Sequence, residues 1–191
     1  MTNPTIFTPA TTVADLSGTY VLDPAHSRIG FVARHAMVTK VRGQFNEFEG
    51  SGVVDANDFT KSTVTVTIQA ASIDTRNEQR DAHLRSNDFL AMEEYPEITF
   101  ASTGIHQTGP TSVELTGDLT IRGVTNSVTI PFEFEGAATD PFGNLRVGFE
   151  GSVVINRKDY GVTWNVALET GGVLVSDKIT LEFEVSAIKT A

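Results

Sequence analysis

The chain predicts an all-β protein: one long antiparallel sheet, folded against itself as a sandwich or closed into a barrel of about eight strands, with one short helix inserted between strands. Almost every stretch between its glycines and prolines alternates apolar and polar residues. Only one segment, between Asp74 and Leu90, reads as helix. With so little helix to cover them, the apolar strand faces must meet one another, and closing the sheet also removes its exposed edges. A closed barrel of about eight strands has an interior that can hold one ligand.

Each element follows from local pattern. Successive side chains in a strand point to opposite faces, so alternation gives one buried and one wetted face. A first strand is expected near Thr19 to Leu22, after Gly18, with a turn at Asp23-Pro24. Ile29, Phe31 and Ala33 then set an inward parity that continues to His35, and Arg42-Gly43 punctuates before a run from about Phe45 to Val54. Val64, Val66, Ile68 and Ala70 alternate with Thr63, Thr65, Thr67 and Gln69. The period then changes. Thr75 with Glu78 three positions later makes a capping box, and Arg76 to Arg85 contains good helix formers without glycine or proline, so a helix of about ten residues is expected as a crossover. Pro96 ends that connection and Ile98 to Ala101 resumes the strand pattern. Further strands are expected through Val113 to Ile121, Val128 to Phe134, Leu145 to Ile155 and Ile179 to Val185. Turns are signalled at Thr108-Gly109-Pro110, Arg122-Gly123, Asp140 to Asn144 and Gly171-Gly172.

Composition narrows the function. At 191 residues and 40% apolar, the chain suits one domain with a full core. The expected organisation is a flexible N-terminal tail over residues 1–17 and a barrel domain over 18–191. Twenty-four acidic against 14 basic residues give a net charge of -10, which repels nucleic acid and anionic membrane surfaces. Cysteine is absent, which excludes disulfides, thiolate nucleophiles and cysteine metal sites. No apolar run approaches the roughly 20 residues that span a bilayer. The first seventeen residues lack a basic start and a long apolar run, so no secretory signal is expected and a cytoplasmic location is.

Two titratable residues fall on the apolar parity at strand ends: His35 after Ile29, Phe31 and Ala33, and Arg157 after Val153 and Ile155. Strict alternation turns both into the barrel near its rim, where they would supply donors to a polar head group; a bulge or strand end would instead turn them outward. Guanidinium pairs bidentately with oxyanions, which makes Arg157 the stronger candidate for a phosphate-like group. Trp164, on one parity with Val162, Val166 and Leu168, reads as core or cavity wall. The candidate ligand-binding set is therefore Phe31, Ala33, His35, Val66, Ile68, Leu119, Phe132, Phe149, Arg157 and Trp164. The helical cluster Arg76, Glu78, Arg80, Asp81, His83 and Arg85 reads as a solvated face, with Arg80 and Asp81 as alternative anchors of a lid whose apolar underside is Leu84, Phe89 and Leu90. His26, His35, His83 and His106 show no paired metal-ligand spacing, so neither a metal nor another cofactor is expected. Asp23, His26 and Ser27 are the residue types of a hydrolase triad, but crowding around Pro24 favours turn-capping.

The strings Asp23-Pro24-Ala25-His26-Ser27, Arg42-Gly43-Gln44-Phe45, Ser72-Ile73-Asp74-Thr75-Arg76-Asn77, Arg80-Asp81-Ala82-His83-Leu84 and Tyr95-Pro96-Glu97-Ile98-Thr99-Phe100 occur in this order. Gly117 to Thr125 and Arg157-Lys158-Asp159-Tyr160-Gly161 follow. This pattern resembles the YceI-like family of polyisoprenoid-binding, lipocalin-like proteins over about residues 18 to 188. The resemblance implies an antiparallel eight-stranded lipocalin-like barrel with a long apolar channel for a polyisoprenoid or similar amphiphilic lipid, a homodimer, and no catalytic residue that could be carried over. Many members are exported, whereas this chain shows no export signal and is similar to the cytoplasmic ones. Three readings compete: a lipid-binding module; an enzyme acting on a prenyl lipid, with His35 as acid or base and Arg157 steadying an oxyanion; and a barrel packed solid with its own side chains. Twelve phenylalanines make the last feasible, while small inward residues Ala33, Ala70, Gly117 and Gly151 leave room that argues against it.

Overall fold

A computed structural model describes residues 12–191. Eleven strand segments, β1 (Gly18–Leu22), β2 (Arg28–His35), β3 (Thr39–Phe45), β4 (Phe48–Val54), β5 (Thr63–Gln69), β6 (Ile73–Asp74), β7 (Glu97–Gln107), β8 (Ser112–Ile121), β9 (Val124–Thr139), β10 (Leu145–Asn156) and β11 (Lys178–Lys189), form one antiparallel sheet. Eight of them close a ring in the order β1-β4-β5-β7-β8-β9-β10-β11 and back to β1. The other three prolong that ring. β1 and β2 pair in succession along the same edge of β11, Leu22 opposite Ala187 and Arg28 opposite Glu184, so together they form one bent barrel strand. β3 with β4, and β5 with β6, are bent likewise. The result is a closed eight-stranded antiparallel barrel with one short helix, α1 (Glu78–Arg85).

The bends explain where simple alternation fails. Asp23-Pro24 does not reverse the chain: Asp23 accepts the Ala25 N–H at 3.1 Å, and the turn merely kinks the strand. Ser27 repairs the ladder across the kink, donating to the Ser186 carbonyl at 3.1 Å and accepting the Ser186 N–H at 2.9 Å. Gly43 likewise lies within β3 and punctuates nothing. A Cβ there would sit 2.3 Å from the Phe31 ring, so the glycine makes room for an aromatic that faces the interior. Parity changes at two bulges. Thr103 is skipped between the pairs Ser102–Gly117 and Gly104–Thr116, and Glu135 between Phe149–Phe134 and Gly148–Gly136. Each extra residue moves the inward set from one parity to the other, as Phe134 and Ala137 show by both being buried.

The helix is shorter than expected and differently capped. Asn77 is the N-cap, accepting the Arg80 N–H at 2.9 Å, and Arg76 before it takes a left-handed φ of 64°. Thr75 is instead buried against Asp81, whose carboxylate accepts its N–H at 2.9 Å and its hydroxyl at 2.6 Å. Arg80 clasps the same residue, through Nε to Oγ1 at 2.7 Å and Nη2 to the carbonyl at 2.8 Å. Part of the charged cluster thus pins α1 across one barrel end. The opposite end is closed by residues within the span expected to be a flexible tail. Val13 and Leu16 are buried, and the Val13 N–H reaches the Pro110 carbonyl at 2.9 Å. The barrel domain therefore begins before residue 18, because two apolar side chains gain more by plugging the barrel than by staying in water; residues 1–11 of the expected tail lie outside the described residues.

Candidate functional site: an apolar cavity along the barrel

Buried side chains gather in two clusters. One, near α1, contains Ile29, Phe48, Ile68, Phe100, Leu119 and Tyr160; the other, near residues 13–16, contains Tyr20, Val113, Phe134 and Val147. Between and within them runs a cavity of about 370 Å³, lined by residues from all eight strands of the ring. On β11 alone it meets Ile179, Leu181, Phe183, Val185 and Ala187. Eight residue steps at about 3.3 Å each make that wall roughly 26 Å long. The cavity is therefore narrow and extended, and its volume falls within the range of small-molecule sites.

Of the expected ligand-binding residues, Phe31, Ala33, Val66, Ile68, Leu119, Phe132, Phe149 and Arg157 line this cavity. His35 does not. It lies exposed at the end of β2, bridging to Val175 through the backbone, because the hairpin turns there through Ala36 and Met37, both with positive φ. Trp164 is not a lining residue either. The segment 161–177 is an irregular loop with no strand parity, and the indole packs edge-on to His83 at 4.6 Å and beside Phe89 at 5.4 Å, behind the residues that do face inward. The lid expectation holds in its geometry: Leu84, Phe89 and Leu90 all line the cavity. The room expected at Gly117 and Gly151 is filled, since a Cβ would meet the Phe100 ring at 2.4 Å in the first and the Phe132 ring at 2.6 Å in the second. Facing rings and glycines fit one another, and the remaining space lies along the barrel.

Arg157 is 5% exposed, and its guanidinium is committed to the fold. Nε donates to the Ser176 carbonyl at 2.9 Å, and Nη1 to the Val162 and Trp164 carbonyls at 2.8 and 2.9 Å. Nη2 donates to the Val175 carbonyl at 3.4 Å and stands 3.9 Å from Asp177. Removal from water lowers its pKa below the ordinary guanidinium value, with Asp177 opposing the shift. Arg157 thus staples the loop 161–177 to the barrel end. The oxyanion site suggested at Arg157, and the alternative in which His35 is the acid or base and Arg157 steadies an oxyanion, are not assembled, because loop carbonyls occupy the guanidinium donors and His35 faces solvent.

Other polar groups serve the frame. Arg146 joins Asp23 at the β1–β2 kink to Asp140 in the β9–β10 turn, with Nε 2.8 Å from Asp140. Arg146 is the main influence holding the Asp23 carboxyl below its ordinary 3.8. For Asp140, loss of water works upward, but the N–H groups of Asn144 and Phe142, the Asn144 amide and Arg146 prevail and hold it well below the usual carboxylate range. Asp23 also lies 2.7 Å from His26, while Ser27 is engaged with Ser186, so these residues form a turn and not a triad. Among the described residues no group of three or more histidine, cysteine, aspartate or glutamate side chains could hold a metal. No helix among them is long and apolar enough to cross a membrane. One residue that alternation did not single out is Tyr160. It ends a short 3₁₀ turn, Arg157–Tyr160, lines the cavity, and is 2% exposed. Burial raises its pKa above 10.0, while the Asn126 side chain, which also donates to the Asp159 carbonyl at 2.9 Å, stands close enough to the hydroxyl to oppose the shift.

Fold and cavity define a class: closed antiparallel barrels with an apolar, elongated interior. Comparison with known proteins makes the assignment specific. The YceI-like domain profile matches residues 20–187, and the chain belongs to this family. It is 40% identical over 169 residues to the UPF0312 protein SAS2572 of Staphylococcus aureus, a match covering 88% of this chain and 95% of that protein. The crystal structure of the Campylobacter jejuni YceI protein is similar, with a TM-score of 0.70 and 29% identity over 83% of this chain and 90% of that one. At lower identity, 15%, a polyisoprenoid binding domain from Saccharophagus degradans shares the fold with a TM-score of 0.66, covering 90% of this chain and 98% of its own.

Proposed function

We propose that this protein binds a polyisoprenoid or similar long-chain amphiphilic lipid inside the barrel, for storage, carriage or presentation. The observation that carries the reading is the extended cavity, whose lining is almost wholly aliphatic and aromatic from end to end. Each methylene moved from water into such surroundings contributes about 0.8 kcal/mol, so a long chain can be held tightly with little polar recognition. The family, and the polyisoprenoid binding described for the Saccharophagus relative of the same fold, support the same ligand class. Phe31, Ala33, Val66, Ile68, Leu119, Phe132 and Phe149 are proposed to touch the chain. A homodimer belongs to the proposal on the strength of the family resemblance, and light scattering of the purified protein checks it. A net charge of -10 supports the exclusion of nucleic acid as a partner.

The reading is tested with Leu119→Asp, which sets an unpaired carboxylate in the wall at a cost of several kcal/mol. Variants are first shown to be folded by circular dichroism, and lipid is then extracted and weighed by mass spectrometry. Loss of retained lipid is expected in Leu119→Asp, with a smaller loss in Val66→Phe, which narrows the cavity without adding charge. Full retention in both folded variants would place the ligand elsewhere.

A further inference from the structure

The charge of this acidic chain is spread unevenly over the barrel. Residues 24–46 include Arg28, Arg34, Lys40 and Arg42 and none of the 24 acidic residues. At the end that Arg157 staples, cations stand in a row on adjacent strands: Lys178 at the start of β11, Arg34 on β2 and Lys40 on β3. Arg34 and Lys40 are direct cross-strand partners. Ser176 ties the Arg34 backbone to that of Lys178, its Oγ accepting the Arg34 N–H at 2.9 Å and donating to the Lys178 carbonyl at 3.0 Å. Alternation turns all three side chains outward, since the neighbouring Ala33 and Ile179 line the cavity. Like charges opposed across a ladder cost stability. Farther along β11, Glu182 relieves Arg28 at 3.3 Å and Arg42 at 3.8 Å, but among the described residues no carboxylate pairs with Lys178, Arg34 or Lys40.

An apolar tip rises beside this row. Between Arg34 and Lys40 the hairpin turns through Ala36 and Met37 with φ of 50° and 66°, the left-handed region that glycine or asparagine ordinarily fills. Met37 is 59% exposed and Val38 74%. The loop 161–177 lies against the hairpin: the Ala36 N–H donates to the Leu174 carbonyl at 2.8 Å, and Met37 Cγ stands 3.2 Å from where a Cβ on Gly172 would be. That loop adds the exposed Val166. Apolar side chains held in water on a strained turn, next to cations without partners, do nothing for the barrel, and strain of this kind persists at functional sites.

We propose that the β2–β3 hairpin and the adjoining loop form the surface with which this protein docks on an anionic lipid bilayer. Met37, Val38 and Val166 enter the interface, and the row Lys178–Arg34–Lys40 meets the lipid phosphates. The net charge of -10 does not forbid this, because in physiological salt charges beyond about 8 Å are largely screened and the local ones decide the contact. The acidic side chains gather elsewhere: Glu114, Glu133, Glu135, Glu150 and Glu184 surround a depression on the outer wall, farther along β11 and across β8 to β10. Repulsion there turns that wall away from the membrane and the hairpin toward it. Glu169, exposed in the loop, is the acidic residue that works against the contact. The inference goes beyond lipid binding in the barrel, since it names the surface against which a carrier would work.

The test is co-sedimentation of the full chain with vesicles of phosphatidylcholine and phosphatidylglycerol in equal parts, and with vesicles of phosphatidylcholine alone. At about 0.1 M salt the anionic vesicles should bind at least about tenfold more tightly than the neutral ones, and most of that advantage should be lost at about 0.5 M. Arg34→Gln with Lys40→Gln should weaken binding about tenfold or more, Met37→Ser with Val38→Ser by a similar factor, and Glu169→Gln should tighten it about two- to fivefold. Because Arg34 and Lys40 repel one another, replacing them should not lower the melting temperature, and lipid retained in the barrel should match the parent. Hydrogen exchange of the unmutated protein should slow at residues 36–40 and 166–172 when anionic vesicles are added, a readout that needs no variant. Equal or absent binding to the two vesicle types, unaltered binding by the folded variants, or protection confined to other segments would overturn the proposal. A dimer that Val38→Asp dissociates, with no vesicle binding, would assign the tip to a second copy of the chain. Vesicle binding by a protein that never retains lipid would overturn the lipid-binding reading and leave the docking surface in place.

Discussion

The two ends of the barrel are closed by different physics. At the α1 end, charged side chains grip backbone: Asp81 and Arg80 hold Thr75, Arg85 donates to the Ala71 and Ile73 carbonyls, Arg122 to that of Phe89, and Arg157 to four carbonyls of the loop 161–177. At the other end the closure is chiefly packing, with Val13 and Leu16 set against Tyr20, Val113, Phe134 and Ala137. Hydrogen-bonded closure is specific and fails when one donor is lost. Packed closure yields in proportion to the area removed.

The largest effect is expected at the centre of the hydrogen-bonded end. Arg157→Ala leaves several buried carbonyls without donors and should destabilise the protein by at least about 3 kcal/mol in urea unfolding. A loss below about 1 kcal/mol would mean that water replaces the guanidinium and that this end is not held by it. Next comes Leu16→Ala at the packed end, expected to cost about 2–3 kcal/mol through lost burial and a residual cavity. If Leu16→Ala proves the more damaging of the two, the contrast between the ends is reversed.

How much of this could be read beforehand divides along the same line. Alternation located the strands because the barrel faces are long and one-sided, and it placed Leu119, Phe132 and Phe149 on the cavity wall. It failed where the chain stops alternating. The kink at Asp23–Ser27 resembles a turn in composition, and only the ladder from Arg28 to Glu184 shows that the strand continues. The parity that turned His35 inward ends with the hairpin after it, and the parity of Val162 and Trp164 belongs to no strand. Arg157 was placed at the cavity but given the wrong partner, because the carbonyls that occupy it come from residues five to nineteen positions away in an irregular loop. Tyr160 sits in a single 3₁₀ turn, where no periodic signal exists.

Smaller effects refine the comparison. The Arg146 bridge to Asp23 and Asp140 ties the barrel wall together beside the packed end. Both carboxyls have folded-state pKa values below the ordinary 3.8, so their contribution is present above about pH 4 and is lost as pH falls through the lowered values. The difference in melting temperature between the parent and Arg146→Gln should therefore be constant from about pH 7 to 5 and shrink progressively below about pH 4; a difference that is undiminished from about pH 5 down to about pH 2 would assign it to packing of the arginine stem. The smallest effect is expected from His35→Ala, since the side chain is exposed: neither stability nor lipid retention should change measurably. A marked loss of retained lipid would put an entrance to the cavity at the β2–β3 hairpin.

The central claim, that the barrel interior is occupied by a long-chain lipid, is tested most directly by native mass spectrometry of the protein expressed in a lipid-replete host and purified without detergent. The account predicts a species heavier than the bare chain that releases a long-chain lipid on denaturation. A clean mass of the bare chain would contradict it.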